Sequence, residues 1–324
     1  MQRRSLRNCH RIVLASVCLV ALLAACKRNT EPLPGAATEP AAAVRQLAQY
    51  LHDNDLAGYA RASVPPDQYA ALETAWAQGD SRWPLTELPL DEKLPSLLAT
   101  LSEPGAEQKL QRAFRAQFEG QSAAVRQAAH SLGMFGVQYI THQGEYSTEE
   151  RSHYVQLVTA LSDWAQAAPL SDAKLAKSNI VALTAAARAT GLDSAQRLQQ
   201  AGMTASLQRL GPFAAVLKQV LASYGLALDD SVAQMRTGLT AQNGDNALVR
   251  VQYPLAGKEL DLQVALVRRE GHWYLARTLA ETDAVLAAAR AAEKARNEAA
   301  EAAAAAADAE TRAASDSAKP PAKP

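Results

Sequence analysis

The sequence predicts an α+β protein, mostly α: a helical body, then a small antiparallel sheet of at least three strands over about 246–279, then an extended Ala-rich helix. Three observations carry this expectation. Apolar residues recur at helical spacing through most of 41–235, the period changes from helical to two near Gly238, and no large apolar residue follows Leu286.

Within 41–78, Val44, Leu47, Leu51 and Leu56 recur at helical spacing, and Asp53-Asn54-Asp55 interrupts the run. Pro65-Pro66-Asp67 opens a second helical stretch carrying Tyr69, Leu72 and Trp76, with Pro66 at a first-turn position. Residues 79–95 contain Gly79, Pro84, Pro89 and Pro95 and read as a long connection. Helices resume near Pro95 and Pro104. The clearest covers 123–140, where Val125, Ala128, Ala129, Leu132, Phe135, Gly136, Tyr139 and Ile140 form one stripe. Gly133 and Gly136 beside that stripe permit close approach by a neighbour.

Ser147-Thr148-Glu149-Glu150 is a capping box, a Ser cap with Glu three residues on. Tyr154, Leu157, Val158, Leu161 and Trp164 form the stripe behind it. Pro169 ends that helix. Ser171-Asp172 starts another through about Thr190, and shorter helices follow near 194–201 and 212–224.

Beyond Gly238, Val249, Val251 and Tyr253 alternate with Leu248, Arg250 and Gln252, and Leu260, Leu262, Val264 and Leu266 alternate with polar neighbours and Ala265. Pro254 to Gly257 and Glu270-Gly271 read as turns. His272 to Thr278 reads as a third strand, with Trp273 and Leu275 inward and Tyr274 half exposed. The stretch LVRVQYPLAGKELDLQVALVRREGHWYLART resembles the closing strands of the nuclear-transport-factor-two-like cone fold, whose secreted bacterial members often end in a hairpin followed by Gly-x-Trp, here Gly271-His272-Trp273. The resemblance covers about 40 of 324 residues. It implies that 41–78 are the opening helices of such a fold and that 95–235 are a large helical insertion or a separate helical domain, a departure from the family. That superfamily holds both enzymes and non-catalytic proteins, so it leaves function open.

The N-terminus carries an address. Arg3, Arg4, Arg7 and Arg11 precede an apolar run from Ile12 to Ala25, shorter than the roughly 20 residues of a spanning helix. The run ends Leu23-Ala24-Ala25-Cys26, which resembles the lipobox of bacterial lipoproteins. The resemblance implies removal of residues 1–25, diacylglycerol on the Cys26 sulfur and acylation of the new amine. Lys27 rather than Asp after the cysteine resembles the sorting rule that directs lipoproteins to the outer membrane, facing the periplasm. Arg3-Arg4 is similar to a twin-arginine signal, but its surroundings fit the general export route better. Residues 26–40 read as a Pro/Gly-containing tether. The other cysteines, Cys9 and Cys18, leave with the signal, so no disulfide, thiol nucleophile or cysteine metal site is expected.

The whole chain carries 33 basic and 33 acidic residues; without the signal's four arginines it is formally acidic, which argues against nucleic acid as a partner. His142, Glu145, Glu149 and His153 have spacings of three and four, the best arrangement available for a metal, yet Gly144 and the Ser147 cap break the helix between them, and the cap and helix dipole account for Glu149 and Glu150. His130 falls off its helix stripe and reads as solvated, and Arg268-Arg269 as edge charges. No nucleophile elbow, phosphate loop, dinucleotide fingerprint or His-Glu-x-x-His is present. No metal, cofactor or catalytic residue is therefore assigned. The expectation is a non-catalytic lipid-anchored envelope protein that binds an envelope partner or scaffolds. The alternatives are a periplasm-facing binding module for a small apolar ligand or peptide, and an envelope hydrolase with a non-local site.

The organisation expected is a signal over 1–25, a tether over 26–40, a helical region over 41–235, a meander over 236–286 packing on 41–78, and an Ala/Glu-rich tail over 287–324 with few contacts to the body. The address is tested at Cys26: Cys26→Ala is expected to lose incorporation of a fatty-acid probe and to accumulate as unprocessed precursor, and equal labelling of the variant would exclude the lipobox.

Overall fold

The computed structural model describes residues 39–87, 93–143 and 146–317, with side chains followed to residue 310. The signal, Cys26 and nearly all of the tether lie outside the described residues, as does Glu145. The chain opens with α1 (Pro40–His52), α2 (Leu56–Ser63) and α3 (Pro66–Gln78). The interruption falls at Asp53-Asn54-Asp55, where the Asp55 side chain accepts the Gly58 amide at 2.8 Å and caps α2. Pro66 sits in the first turn of α3, where a missing N–H is no loss.

The connection after α3 departs from expectation. Trp83 and Leu85 are buried in the same core as Leu72 and Trp76. The Trp83 ring and Leu85 withdraw apolar area from water and Pro84 is buried between them, so 83–85 is core and not a passive link. The Trp76 indole N–H is satisfied by the Leu198 carbonyl at 3.0 Å.

The rest of the helical body comprises α4 (Leu94–Ser102), α5 (Ala106–Gln117), α6 (Ser122–His142), α7 (Thr148–Ala167), α8 (Ala173–Thr190), α9 (Ala195–Ala201), α10 (Met203–Ser223) and α11 (Leu228–Ala233). Helix α10 begins nine residues before the start expected at 212 and holds Pro212 in its interior. Leu207, Leu210 and Phe213 are buried on both sides of that proline, and packing of this face carries the helix through the lost hydrogen bond. Gly211 beside it lets the α1–α2 turn in: a Cβ there would lie 2.4 Å from the Asn54 carbonyl oxygen.

Helices α6 and α7 form a hairpin whose approach is set by Gly133, where a Cβ would meet Ser162 Oγ at 2.1 Å. The long apolar stripe of α6 is split by this packing. Gly133 is buried and Val125, Ala129 and Ile140 are half-buried, whereas Leu132, Phe135 and Tyr139 stay exposed. A helix covered chiefly by one neighbour buries only a narrow arc.

The sheet has four strands, β1 (Arg236–Asn243), β2 (Asn246–Leu255), β3 (Lys258–Arg269) and β4 (His272–Leu275), in the order β1-β2-β3-β4, all antiparallel. Val249 opposes Val264 and Val251 opposes Leu262, and that face packs on Ala43 and Val44 of α1, so the sheet does lie on the opening helices.

The last strand is shorter than expected. It stops at Leu275, and α12 (Ala276–Ser317) begins at the next residue. Leu279, Thr282, Leu286 and Ala289 are buried at helical spacing, so 276–289 packs as helix and no boundary falls at Leu286. Tyr274, expected half exposed, is buried in the helical core, while Trp273 is buried in the core on the other side of the sheet. Nor does contact with the body cease at 287: Ala289 is buried, and Arg296 donates to Asp80 at 2.8 and 2.6 Å. The Arg296 guanidinium holds the Asp80 carboxyl below its usual range. From 297 to 310 every side chain is exposed.

Truncation after Asn297 is expected to leave the melting temperature within about two degrees of the full chain, the scale of a minor surface change. Ending the chain at Ala289, which removes Arg296, lowers it further; equal melting of the two truncations would show that the Arg296–Asp80 pair holds nothing.

Candidate functional site: a cleft beside the third strand

A cleft of about 1040 Å³ lies where the first turns of α7 and α12 meet β3. Its apolar surface comes from Leu248, Leu262, Val264, Leu275 and Val285, and its carboxylates are Glu87, Glu149, Glu150 and Glu281. Tyr59 and Tyr154 also line it.

The α7 wall is built by its cap. The Ser147 hydroxyl accepts the Glu150 amide at 3.1 Å, and Glu150 accepts the Ser147 amide at 2.9 Å, so both halves of the capping box are made. Arg277, in the first turn of α12, reaches Glu150 at 3.0 Å and Glu281 at 2.7 Å and so ties the two helices together. The Ser147 amide, and then Arg277, hold the Glu150 carboxyl below its ordinary value.

Glu87 is different. It accepts from the Trp83 indole at 2.7 Å and from the Tyr59 hydroxyl at 3.5 Å. Burial pushes its carboxyl up, the neighbouring Glu281 adds to this, and the Trp83 hydrogen bond opposes it. No ion pair to Glu87 or to Glu149 is present among the described residues. Burial likewise pushes the Tyr59 hydroxyl well above its usual value, ahead of the effect of Glu87.

His153 is buried at the inner end of the cleft. Its Nδ1 lies 3.2 Å from the Asp261 carbonyl oxygen and its Nε2 lies 3.3 Å from Tyr253 Oη. The Asp261 amide donates to Gln156 Oε1 at 3.1 Å. Side chains of α7 thus satisfy both main-chain groups of Asp261. Burial lowers the His153 imidazole against the opposing pull of Asp261, and burial pushes the Tyr253 hydroxyl up to about 12.

The four residues considered for a metal are not brought together. His142 is exposed at the end of α6, Glu145 lies outside the described residues, Glu149 is exposed in the first turn of α7, and His153 faces the sheet with both nitrogens engaged. Among the described residues no group of three or more His, Cys, Asp or Glu side chains is placed to hold a metal ion. His130 is exposed, as expected. Arg268 is more than an edge charge: it lies 5.6 Å over the Trp273 ring and pairs with Asp245 at 2.7 Å. The residues that sequence reasoning missed are Tyr59, Glu87, Arg277 and Gln263. They come from distant segments and carry no local signature; the Ser147 cap with Glu149 and Glu150, and His153 as a metal candidate, are the cleft residues the sequence marked.

Two pH effects follow, with opposite signs. His153 has a folded pKa below its unfolded value, so its contribution is present above about pH 6.5 and is lost as pH falls through the folded value. Glu87 has a folded pKa above its unfolded value, so its contribution is present below about pH 4.5 and is lost as pH rises through the folded value. Glu87→Gln is therefore expected to raise the melting temperature near neutral pH and not near about pH 4, and His153→Gln to flatten the loss of stability between about pH 7 and 5. Parallel melting-versus-pH curves for wild type and variants would refute both assignments.

No protein-family model, curated protein or solved structure matches the chain.

Proposed function

We propose that the chain is a lipid-anchored, non-catalytic binding module of the cell envelope, carried on the outer membrane by Cys26 and facing the periplasm, whose cleft takes an apolar ligand or peptide. One observation carries the reading: an open cleft of about 1040 Å³ lined by the exposed Leu248 and the half-buried Leu262, Val264, Leu275 and Val285, in a range that holds drug-sized ligands or short peptides. Hydrolysis is less well supported, because the Ser147 hydroxyl is committed to the helix cap and His153 to Asp261 and Tyr253. The lipid on Cys26 reaches the membrane; among the described residues no helix is long and apolar enough to cross one.

The test is titration of the full chain with N-phenylnaphthylamine, a neutral dye that fluoresces in apolar surroundings. Wild type is expected to enhance its emission saturably. Gln263→Trp, at an exposed position in the cleft, is expected to weaken dye binding at least about tenfold without changing the melting temperature. Equal enhancement by the folded variant would place the dye elsewhere and exclude the cleft.

A further inference from the structure

Strand β3 is twelve residues long, but β4 covers only part of it: its partners on that side are Leu266 to Arg269. Along an antiparallel strand, successive residues aim their N–H and C=O alternately to the two sides. The side on which each β3 residue opens is fixed at several points. The Arg268 amide donates toward the β1–β2 hairpin, to the Asp245 carbonyl at 2.7 Å. The Asp261 amide and carbonyl both face away from β2, to Gln156 and His153. Pairing with β2 runs without a shift from Lys258 to Val267. Odd-numbered residues of β3 therefore present their main chain away from β2.

Two of them remain between the α7 cover and β4: Gln263 and Ala265. Neither has a β4 partner in register, since that pairing begins at Leu266, and both residues are exposed. The cleft is lined by the consecutive run Leu262, Gln263, Val264, Ala265, which is what an uncovered strand edge presents, since side chains of both sheet faces are reached at once. Such an edge is a template for another strand. The gap from Asp261 to Leu266 suits about four extended residues at roughly 3.3 Å each.

Charge narrows the occupant. Glu150 and Glu281 are paired with Arg277, whereas Glu87 and Glu149 have no ion-pair partner among the described residues. His153, with its pKa lowered, adds no positive charge at neutral pH. The cleft is thus net acidic over an aliphatic floor.

We propose that this cleft binds a short extended peptide segment of a partner protein, rich in alternating basic and apolar residues, which adds as a fifth strand to the Gln263–Ala265 edge of β3. The proposal rests on the reading of the cleft as a binding site and names its ligand. Main-chain hydrogen bonds to Gln263 and Ala265 hold the segment. Its apolar side chains meet Leu262 and Val264, and its basic side chains meet Glu87 and Glu149.

The experiment uses the full chain and a blocked hexapeptide alternating lysine and valine, with amide hydrogen exchange and affinity as readouts. In the free protein Gln263 and Ala265 are expected to exchange fast, and Leu262 and Val264, which face β2, slowly. Saturating peptide is expected to slow Gln263 and Ala265 at least about tenfold. The same side chains on an N-methylated backbone are expected to bind at least about tenfold more weakly, and Glu87→Gln to weaken the unmethylated peptide several-fold. Ala265→Pro, which removes one outward N–H at a position where an edge strand tolerates proline, is expected to lose the peptide and keep the fold; should it unfold, the methylated probe decides alone. Equal affinity for methylated and unmethylated probes, or no slowing at Gln263 and Ala265 with peptide bound, overturns strand addition. If octylamine competes as well as the peptide, the site takes cationic amphiphiles and the peptide proposal falls. If the neutral dye binds the cleft and the peptide does not, this proposal fails while the binding-module reading stands; if neither binds, both fail.

Discussion

The fold turns on four residues, His272 to Leu275, which form a strand buried on both faces. Trp273 packs into the sheet core with Ala43 and Val249, and Tyr274 packs into the helical core with Leu279 and Leu286. Each ring withdraws more apolar area than any aliphatic residue nearby, so neither face of β4 can be released without exposing one of them. The strand is therefore the pin between the sheet and the helical body. Its shortness has a matching cause. Ala276 begins a helix whose buried positions, Leu279, Thr282 and Leu286, belong to the helical core, and the chain must leave the sheet to place them.

The cleft is a consequence of that geometry. A twelve-residue strand flanked by a four-residue one has an edge left over, and α7 covers only the Asp261 end of it through Gln156 and His153. Buried or half-buried main-chain groups need partners, and the molecule supplies them where α7 can reach. Beyond that reach Gln263 and Ala265 stay exposed. Arg277 ties the first turns of α7 and α12 together by holding Glu150 and Glu281 at once. Such exposed pairs add little to stability; their contribution is to position two helix ends.

Charges around the cleft fall into two groups for physical reasons. Glu150 is used up by the cap and by Arg277, and its proton affinity is lowered accordingly. Glu87 has an indole N–H and a phenol O–H but no ion-pair partner among the described residues, and burial raises its proton affinity. A half-buried carboxylate without a counter-ion is destabilising on its own and favourable to a cation that arrives. Away from the cleft, the α6–α7 hairpin shows how far one neighbour can bury a long helix: Gly133 meets Ser162, and Leu132 and Phe135 remain at 69% exposure.

Much of the architecture was legible in local sequence, because caps, breaks and period are local physics. The Asp53-Asn54-Asp55 break, the Ser147 box, the Asp172 start of α8 and the alternation from Val249 to Leu266 mark elements that form where they stand. The errors fell where packing overrides local signals. Pro212 reads as a start and lies inside a helix, Trp83 reads as part of a link and lies in the core, and Ala276 to Thr278 reads as strand and opens a helix. The cleft was illegible for a related reason. Tyr59, Glu87, His153, Gln263 and Arg277 come from separate elements, and nothing in the spacing of any two announces the others. By itself the sequence determined the helical body, the meander and the order in which they follow, since hydrogen bonds within helices and between adjacent strands need only near neighbours. Only the tertiary structure decided where β3 lost its partner and which carboxylates gathered beside it, because an open edge and an unpaired charge are defined by what distant segments fail to cover.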